Sequence, residues 1–499
     1  MSLDAIRHLI TASPLVVVTL ALGPWALYIV IRRSQRLKLP LPPGPKPDPL
    51  IGHLRVLPAS DEHRAYARWG KELNSEIISI NIPGQTIVVL NSTKAANELL
   101  DKRSAIYSDR PTVPMISYPE LVDWSNNTAL MRYGERWRSQ RRMTNQVLNK
   151  GASAPRWPLI TEQCRLALQR ISKAPENFSQ EIRRSVRKQR EISGQLNFKR
   201  RMMGSTLLST VYGYEVTSAN DPLVELVETG VDHLSDAAIV GNFYVNVIPW
   251  LRHVPDWFPG TKWKQAVISW RKERDEMVNL PFNWTKSQIS SGTAAHSMVQ
   301  SLLAKLDDDL DLKQYNAETE EKIKWAAVAI FAGGTDTTAA SILSFILAMT
   351  LNQHVVAKAQ AEIDQVIGKK RLPDMSDRES LPYIECVLRE ILRWQPATPV
   401  GIPHACIEDD EYHGYFIPKG AIVSCPGIHM AEATLFITIA TFLALFDIRP
   451  VKDEQGNDVI PEVKMKSNTV VSYPADFKCS ITPRSEKAME ILKFSVPEI

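Results

Sequence analysis

The stretch WAAVAIFAGGTDTTAASILSFILAMTL, Trp325–Leu351, decides the fold. As a helix rising 1.5 Å per residue it reaches about 40 Å, long enough to cross a bilayer. Asp336 stands at its middle. An aspartate at the centre of a membrane helix costs about 2.5–3.5 kcal/mol, so a helix running through a soluble core is expected. Gly333 and Gly334 each cost about 1 kcal/mol against alanine in a helix interior. The pair predicts close approach of something flat, or a local opening of the helix. Thr337 follows Gly333 by four residues, so its hydroxyl is expected to bond that carbonyl and loosen the ladder. An acid beside a hydroxyl, on a widened helix against an apolar cavity, can pass protons to a bound intermediate. A packing notch between helices would use the same residues.

Outward from this helix, periodicity is helical from about residue 92 to about residue 400. Before it, Ile77–Asn91 holds two apolar runs around Pro83-Gly84 and predicts a β-hairpin. Ser92 or Thr93 is expected to cap the helix that follows. Short strands are expected near Ile402–Ile422 and Val463–Ile481, so the fold class is mainly α with a small β portion. No period of 20–50 residues repeats, which excludes solenoids and propellers. With 499 residues, 44% hydrophobic and 23% charged, the chain is neither disordered nor collagen-like. A net charge of +4 gives no ground for a nucleic-acid partner. Five cysteines without paired spacing exclude a disulfide framework and a Cys-rich zinc site, and point to a reducing compartment.

Leu9–Ile31 carries no charged side chain, and Arg32, Arg33, Arg36 and Lys38 follow at once. That length and asymmetry predict a single-pass anchor over residues 1–31 with the body in the cytosol. A core helix and a cleaved signal peptide are the competing readings, but a signal peptide carries its positive charge in front. Residues 32–51 are a basic and proline-rich hinge, with PLPPGPKPDP at 40–49 expected as a stiff spacer. Residues 52–499 form the globular body. Within it, 183–201 hold eight Lys or Arg and read as a solvated loop. Phe243, Tyr244, Trp250, Trp257, Phe258 and Trp263 cluster among prolines, suited to a membrane interface, a pocket rim or ordinary core.

AGGTDTT at 332–338, followed some fifty residues on by Glu390-Ile-Leu-Arg393, resembles the haem-thiolate monooxygenases, the cytochrome P-450 family. With its anchor and proline-rich hinge the chain is similar to microsomal members common in fungal secondary metabolism. The resemblance implies a haem b enzyme, mainly helical, that inserts one oxygen atom of O2 into an apolar small molecule. Electrons would come from NADPH through a flavoprotein reductase at the endoplasmic reticulum membrane. It assigns Asp336 and Thr337 to proton delivery, with Gly333 and Gly334 against the haem. Trp137 and Arg141, on a helix rich in arginine, and His404 would hold the propionates. Glu390 and Arg393 would brace the fold, and Cys425, before Gly427, would ligate the iron as a thiolate, which a helix N-terminus favours.

The chain also departs from that family. Aligned on Cys425, the family's Phe-x-x-Gly-x-Arg-x-Cys-x-Gly loop meets Pro418, Ala421 and Val423 instead of its phenylalanine, first glycine and arginine. Only Ser424 separates the strand ending at Val423 from Cys425, where the family has several dozen residues. One residue spans at most about 3.6 Å, so an internal deletion is expected, with 183–201 as a matching insertion. Haem binding by this chain is then expected to be weak or absent. A haem-free, membrane-tethered helical paralogue is the competing reading, and a multi-span transporter a third.

Overall fold

The computed structural model describes residues 39–58, 61–148, 157–182, 202–216, 221–239, 242–308, 317–424, 432–467 and 470–496. The apolar segment 9–31, the basic stretch 183–201, Cys425 and Gly427 lie outside them. Helix α1 (Glu62–Glu72) precedes strands β1 (Ile77–Ile82) and β2 (Gln85–Leu90). Then come α2 (Glu135–Leu148), α3 (Trp157–Lys173), α4 (Met202–Tyr212), α5 (Pro222–Ala238), α6 (Trp263–Ser290), α7 (Met298–Asp308) and α8 (Ala317–Leu351). After α9 (Gln353–Val366) and α10 (Pro382–Trp394) follow β3 (His404–Ala405), β4 (Asp410–Tyr412), β5 (Tyr415–Ile417), β6 (Ile422–Ser424) and α11 (Glu432–Leu445). The chain is mainly helical with small sheets, as its periodicity predicts.

The hairpin forms with Ile82 opposite Gln85, and Gly84 takes the left-handed φ of 83° that closes the turn. Ser92 caps the next helix, its Oγ accepting from the Ala95 N–H at 3.0 Å. In the main sheet the order is β1-β2-β6-β3, with β6 parallel to β2 and antiparallel to β3. The strands expected near residues 463–481 also form, Met465–Ser467 against Ser472–Pro474 and Ser480–Pro483 against Phe446–Arg449. The proline-rich segment differs from the expected spacer. Ser79 donates its N–H to the Pro43 carbonyl and its hydroxyl to that of Pro42, and Phe416 N–H donates to Pro40. Prolines lack a donor but keep a carbonyl, so the segment docks on sheet donors. Gly44 is required there, since a Cβ would lie 2.1 Å from the Ser79 oxygen.

Helix α8 is 35 residues long and lies inside the protein, as Asp336 requires. Its first half, Ile323 to Phe331, joins a core with α4, α5, α6 and α7. Its second half, Ala339 to Met349, joins another with α3, α9, α10 and α11. The motif sits at the seam between these cores. The expected opening of the helix does not occur. Thr337 Oγ1 donates to the Gly333 carbonyl at 2.8 Å, and α-helical geometry is unbroken from Ala317 to Leu351. A hydroxyl can share that carbonyl with the main-chain ladder, which leaves the helix closed. The close approach is to Gly334, where a Cβ would meet Leu207 Cδ1 of α4 at 2.9 Å.

Candidate functional site

Between Trp325 and Thr350 most of α8 is buried, but not Ala332 and Gly334, which touch the neighbouring core, nor Ala329, Gly333, Asp336 and Thr337. Their spacing of four, seven and eight places all four on one helix face. A Cβ on Gly333 would meet nothing within 4 Å. An apolar core helix that leaves one such stripe uncovered, carrying an acid and a hydroxyl, presents a site. The structure thus brings Gly333, Asp336 and Thr337 onto a common open face, whereas Gly334 is packed against α4.

A second group of residues is built from the segment before α2. Asp109 is buried and accepts from Arg132 Nη2 at 2.7 Å and from the Tyr133 N–H at 2.7 Å. Its own carbonyl accepts the Ala405 N–H at 2.7 Å. This ties the start of α2 to the edge of the sheet. Trp137 and Arg141 then share one face of α2, and Tyr133, just before the helix starts, sits beside Trp137. The Tyr133 and Trp137 rings lie 5.1 Å apart, and the Arg141 guanidinium is 5.6 Å from the Trp137 ring. α2 itself packs along α8.

Arg110, the residue after Asp109, donates from Nη1 to the carbonyls of Ile402 (2.6 Å) and Pro403 (2.9 Å). Its Nε is buried with no partner among the described residues, and so are Nε and Nη2 of Arg136. Burial and then the nearby Arg141 charge push the Arg110 guanidinium down to about 10. Next to it His404 Nδ1 bonds the Tyr107 carbonyl at 2.8 Å. Burial, then Arg110, lower His404 to about 4. Arg110 and Arg141, with the uncharged His404 beside Arg110, therefore form a cluster with excess positive charge and a buried N–H that no acceptor among the described residues meets. A buried donor without an acceptor costs about 1–3 kcal/mol, and a dianion would relieve both the orphan and the repulsion.

Trp137, Arg141 and His404 of this group are residues that the family resemblance points to, and Arg110 is not among them. Its only signal was Arg110-Pro111, an extended dipeptide in an otherwise polar loop.

A pH prediction follows from His404. Between about 6.5 and about 4 the unfolded chain takes up a proton that native His404 refuses, so stability falls as pH drops through that window. His404→Gln should shrink the stability difference between pH 7 and pH 5 by about 1–2 kcal/mol, read from urea melts at both pH values.

The Glu390–Arg393 pair forms, with Arg393 Nη2 2.6 Å from Glu390 Oε1, but its side chains are 58% and 69% exposed. An exposed ion pair contributes little. α10 is held instead by Ile384, Val387, Leu388 and Ile391, which enter the core. Of the five cysteines, Cys164 and Cys406 are buried and pushed up to about 11, and Cys479 to about 12. Such thiols stay protonated. Cys386 is exposed on α10, and Cys425 falls outside the described residues.

The cytochrome P-450 family model matches residues 42–424. A cytochrome P-450 monooxygenase of Armillaria gallica is 34% identical over 526 positions, covering 95% of this chain and 98% of the relative. Cytochrome P-450 monooxygenase 208 of Postia placenta is 35% identical, covering 93% and 94%. Monooxygenase claR of Ampulloclitocybe clavipes is 34% identical, covering 99% and 95%. The first alignment is longer than the 499 residues of the chain, so that relative carries segments without a counterpart here. The family match ends at Ser424, the last residue of β6.

Proposed function

Because this chain belongs to the cytochrome P-450 family, we propose that it is a haem-dependent monooxygenase of fungal secondary-metabolism type acting on an apolar small molecule. One oxygen atom of O2 would enter the substrate and the other leave as water. The observation that carries the reading is the uncovered stripe of α8, with Asp336 and Thr337 on it and the Arg110–Arg141–His404 cluster beside the helix packed against it. The cluster fits the two propionates of haem: among the described residues Arg110 Nε lacks an acceptor, and the nearby Arg141 charge outweighs the opposing pull of Asp109. Haem, with Cys425 as its thiolate ligand, would supply dioxygen activation using electrons from NADPH passed through a flavoprotein reductase.

The chain's own residues do the rest. Trp137 and Arg141 close one wall, and Arg110 directs its free N–H at a carboxylate. Thr337 holds its hydroxyl proton on the Gly333 carbonyl and releases it by rotating about χ1. Asp336, one residue away on the same face, is placed to resupply it. An apolar substrate lying along Ala329 and Gly333 would exclude water from this face.

A membrane location fits the same reading. Residues 9–31 would anchor the chain, with the body from residue 52 in the cytosol. Tyr244, Trp250, Trp257 and Phe258 are 51–81% exposed and Leu50 is 72% exposed, as aromatic and apolar groups at a bilayer surface would be. Phe243 and Trp263 pack instead against the core.

A second reading is favoured by one observation. β6 ends at Ser424 and α11 begins at Glu432, and the family match stops at the same strand. A chain that lost its ligand loop would keep the distal face and bind little haem. Haem per polypeptide on the purified full chain decides between the two. Near-stoichiometric haem and a thiolate-type Soret band for the reduced carbon monoxide complex support the monooxygenase. Haem far below stoichiometry, or a band of another type, supports the haem-poor paralogue.

A further inference from the structure

Helix α6 has two unlike faces. Toward the core it buries Val267, Met277, Val278 and Phe282, and the buried Arg274 donates from Nη1 to the Val122 carbonyl at 2.7 Å. The opposite face is open to water. Ile268 is 66% exposed and Leu280 47%, and Gln265, Lys272 and Asn283 are exposed with them. A single exposed apolar side chain needs no partner, but these residues are arranged. A shallow hollow runs along the helix from Ile268 to Leu280, lined also by Lys272 and Glu276.

The arrangement is a palindrome about Arg274. Ile268 and Leu280 stand six residues to either side of it, Lys272 and Glu276 two, and Gln265 and Asn283 nine. Apolar is matched by apolar, cation by anion and amide by amide. At 100° per residue all six fall within about 60° of the direction opposite Arg274, so they share the open face. In a two-fold contact residue i of one copy meets residue j of the other, and j meets i. Two antiparallel α6 helices centred on Arg274 therefore bring Lys272 of each copy to Glu276 of the other. A parallel pair would set Lys272 against Lys272, which repels. Within its own helix Lys272 Nζ lies 3.8 Å from Glu276 Oε1, too far for a hydrogen bond, so both charges keep the capacity to pair across the contact.

We propose that the outer face of α6 is a self-association surface, on which a second copy of this chain docks antiparallel with Ile268 beside Leu280 and Lys272 paired to Glu276 in both directions. The paired stretch from Gln265 to Asn283 is about 27 Å long. One helix face is at the low end of specific interfaces, so the dimer is weak and reversible. The inference is independent of the haem reading, because none of these residues belongs to the open face of α8.

Sedimentation equilibrium of the full chain in a neutral detergent tests it. The wild type is expected to show a monomer–dimer equilibrium that salt weakens. Lys272→Glu sets carboxylate against carboxylate at both pairs across the contact, and Glu276→Lys sets ammonium against ammonium. Each variant alone should dimerise about tenfold more weakly. Mixed in equal amounts, the two variants place the carboxylates of one copy against the ammonium groups of the other, and dimerisation should recover. Recovery shows that both variants fold, and no effect confined to one helix produces it. A wild type that stays monomeric overturns the proposal, and so does a mixture that associates no better than its components. Variants that each dimerise like the wild type also overturn it, and place the contact elsewhere on the chain.

Discussion

Arg110→Met is expected to weaken binding of ferric haem by about 10- to 150-fold, the equivalent of one charge-assisted hydrogen bond of roughly 1.5–3 kcal/mol. The wild-type guanidinium is already in place, fixed by the Ile402 and Pro403 carbonyls, so no reorganisation accompanies the bond from its free Nε. Titration of ferric haem against quenching of Trp137, whose ring lies beside Arg141, gives the dissociation constant without any turnover. The same substitution should let the His404 imidazole rise from about 4 toward its ordinary value of 6.5, because Arg110 is one of the two influences that lower it. Proton NMR of the His404 ring reads that shift. An unchanged dissociation constant together with an unmoved His404 would remove Arg110 from the cofactor site.

Phe442→Ala should cost about 3–5 kcal/mol of stability, a large share of a typical total of about 5–15 kcal/mol. Phe442 is fully buried at the centre of the core that holds the second half of α8. Its ring meets Phe345 edge-on at 5.9 Å and Phe446 at 5.2 Å, so truncation removes two aromatic contacts and leaves a cavity. Urea denaturation measures the loss. A change below about 1 kcal/mol would mean that the site collapses onto the void.

The parts of this molecule that were legible beforehand are those set by local chemistry. Pro83-Gly84 announces a hairpin because only a left-handed glycine closes that turn. Asp336 announces an interior helix because a carboxylate does not tolerate lipid. Trp137 and Arg141 are singled out by the family resemblance, and their spacing of four returns a helix to the same face. The docking of the proline-rich segment is not legible in sequence because its carbonyls find Ser79 and Phe416, donors that lie far along the chain.

Arg110 shows the limit most clearly. Its role depends on Asp109 reaching Ala405, on the Ile402 and Pro403 carbonyls, and on Arg141, none of which sequence spacing relates to it. The amino-acid order by itself determined the family, the long interior helix and the acid–alcohol pair on one of its faces, because periodicity and side-chain chemistry act over a few residues. Only the tertiary structure decided which stripe of that helix stays open and which charges are left without partners, because burial and the field at a buried group arise from segments that meet only when the chain is folded.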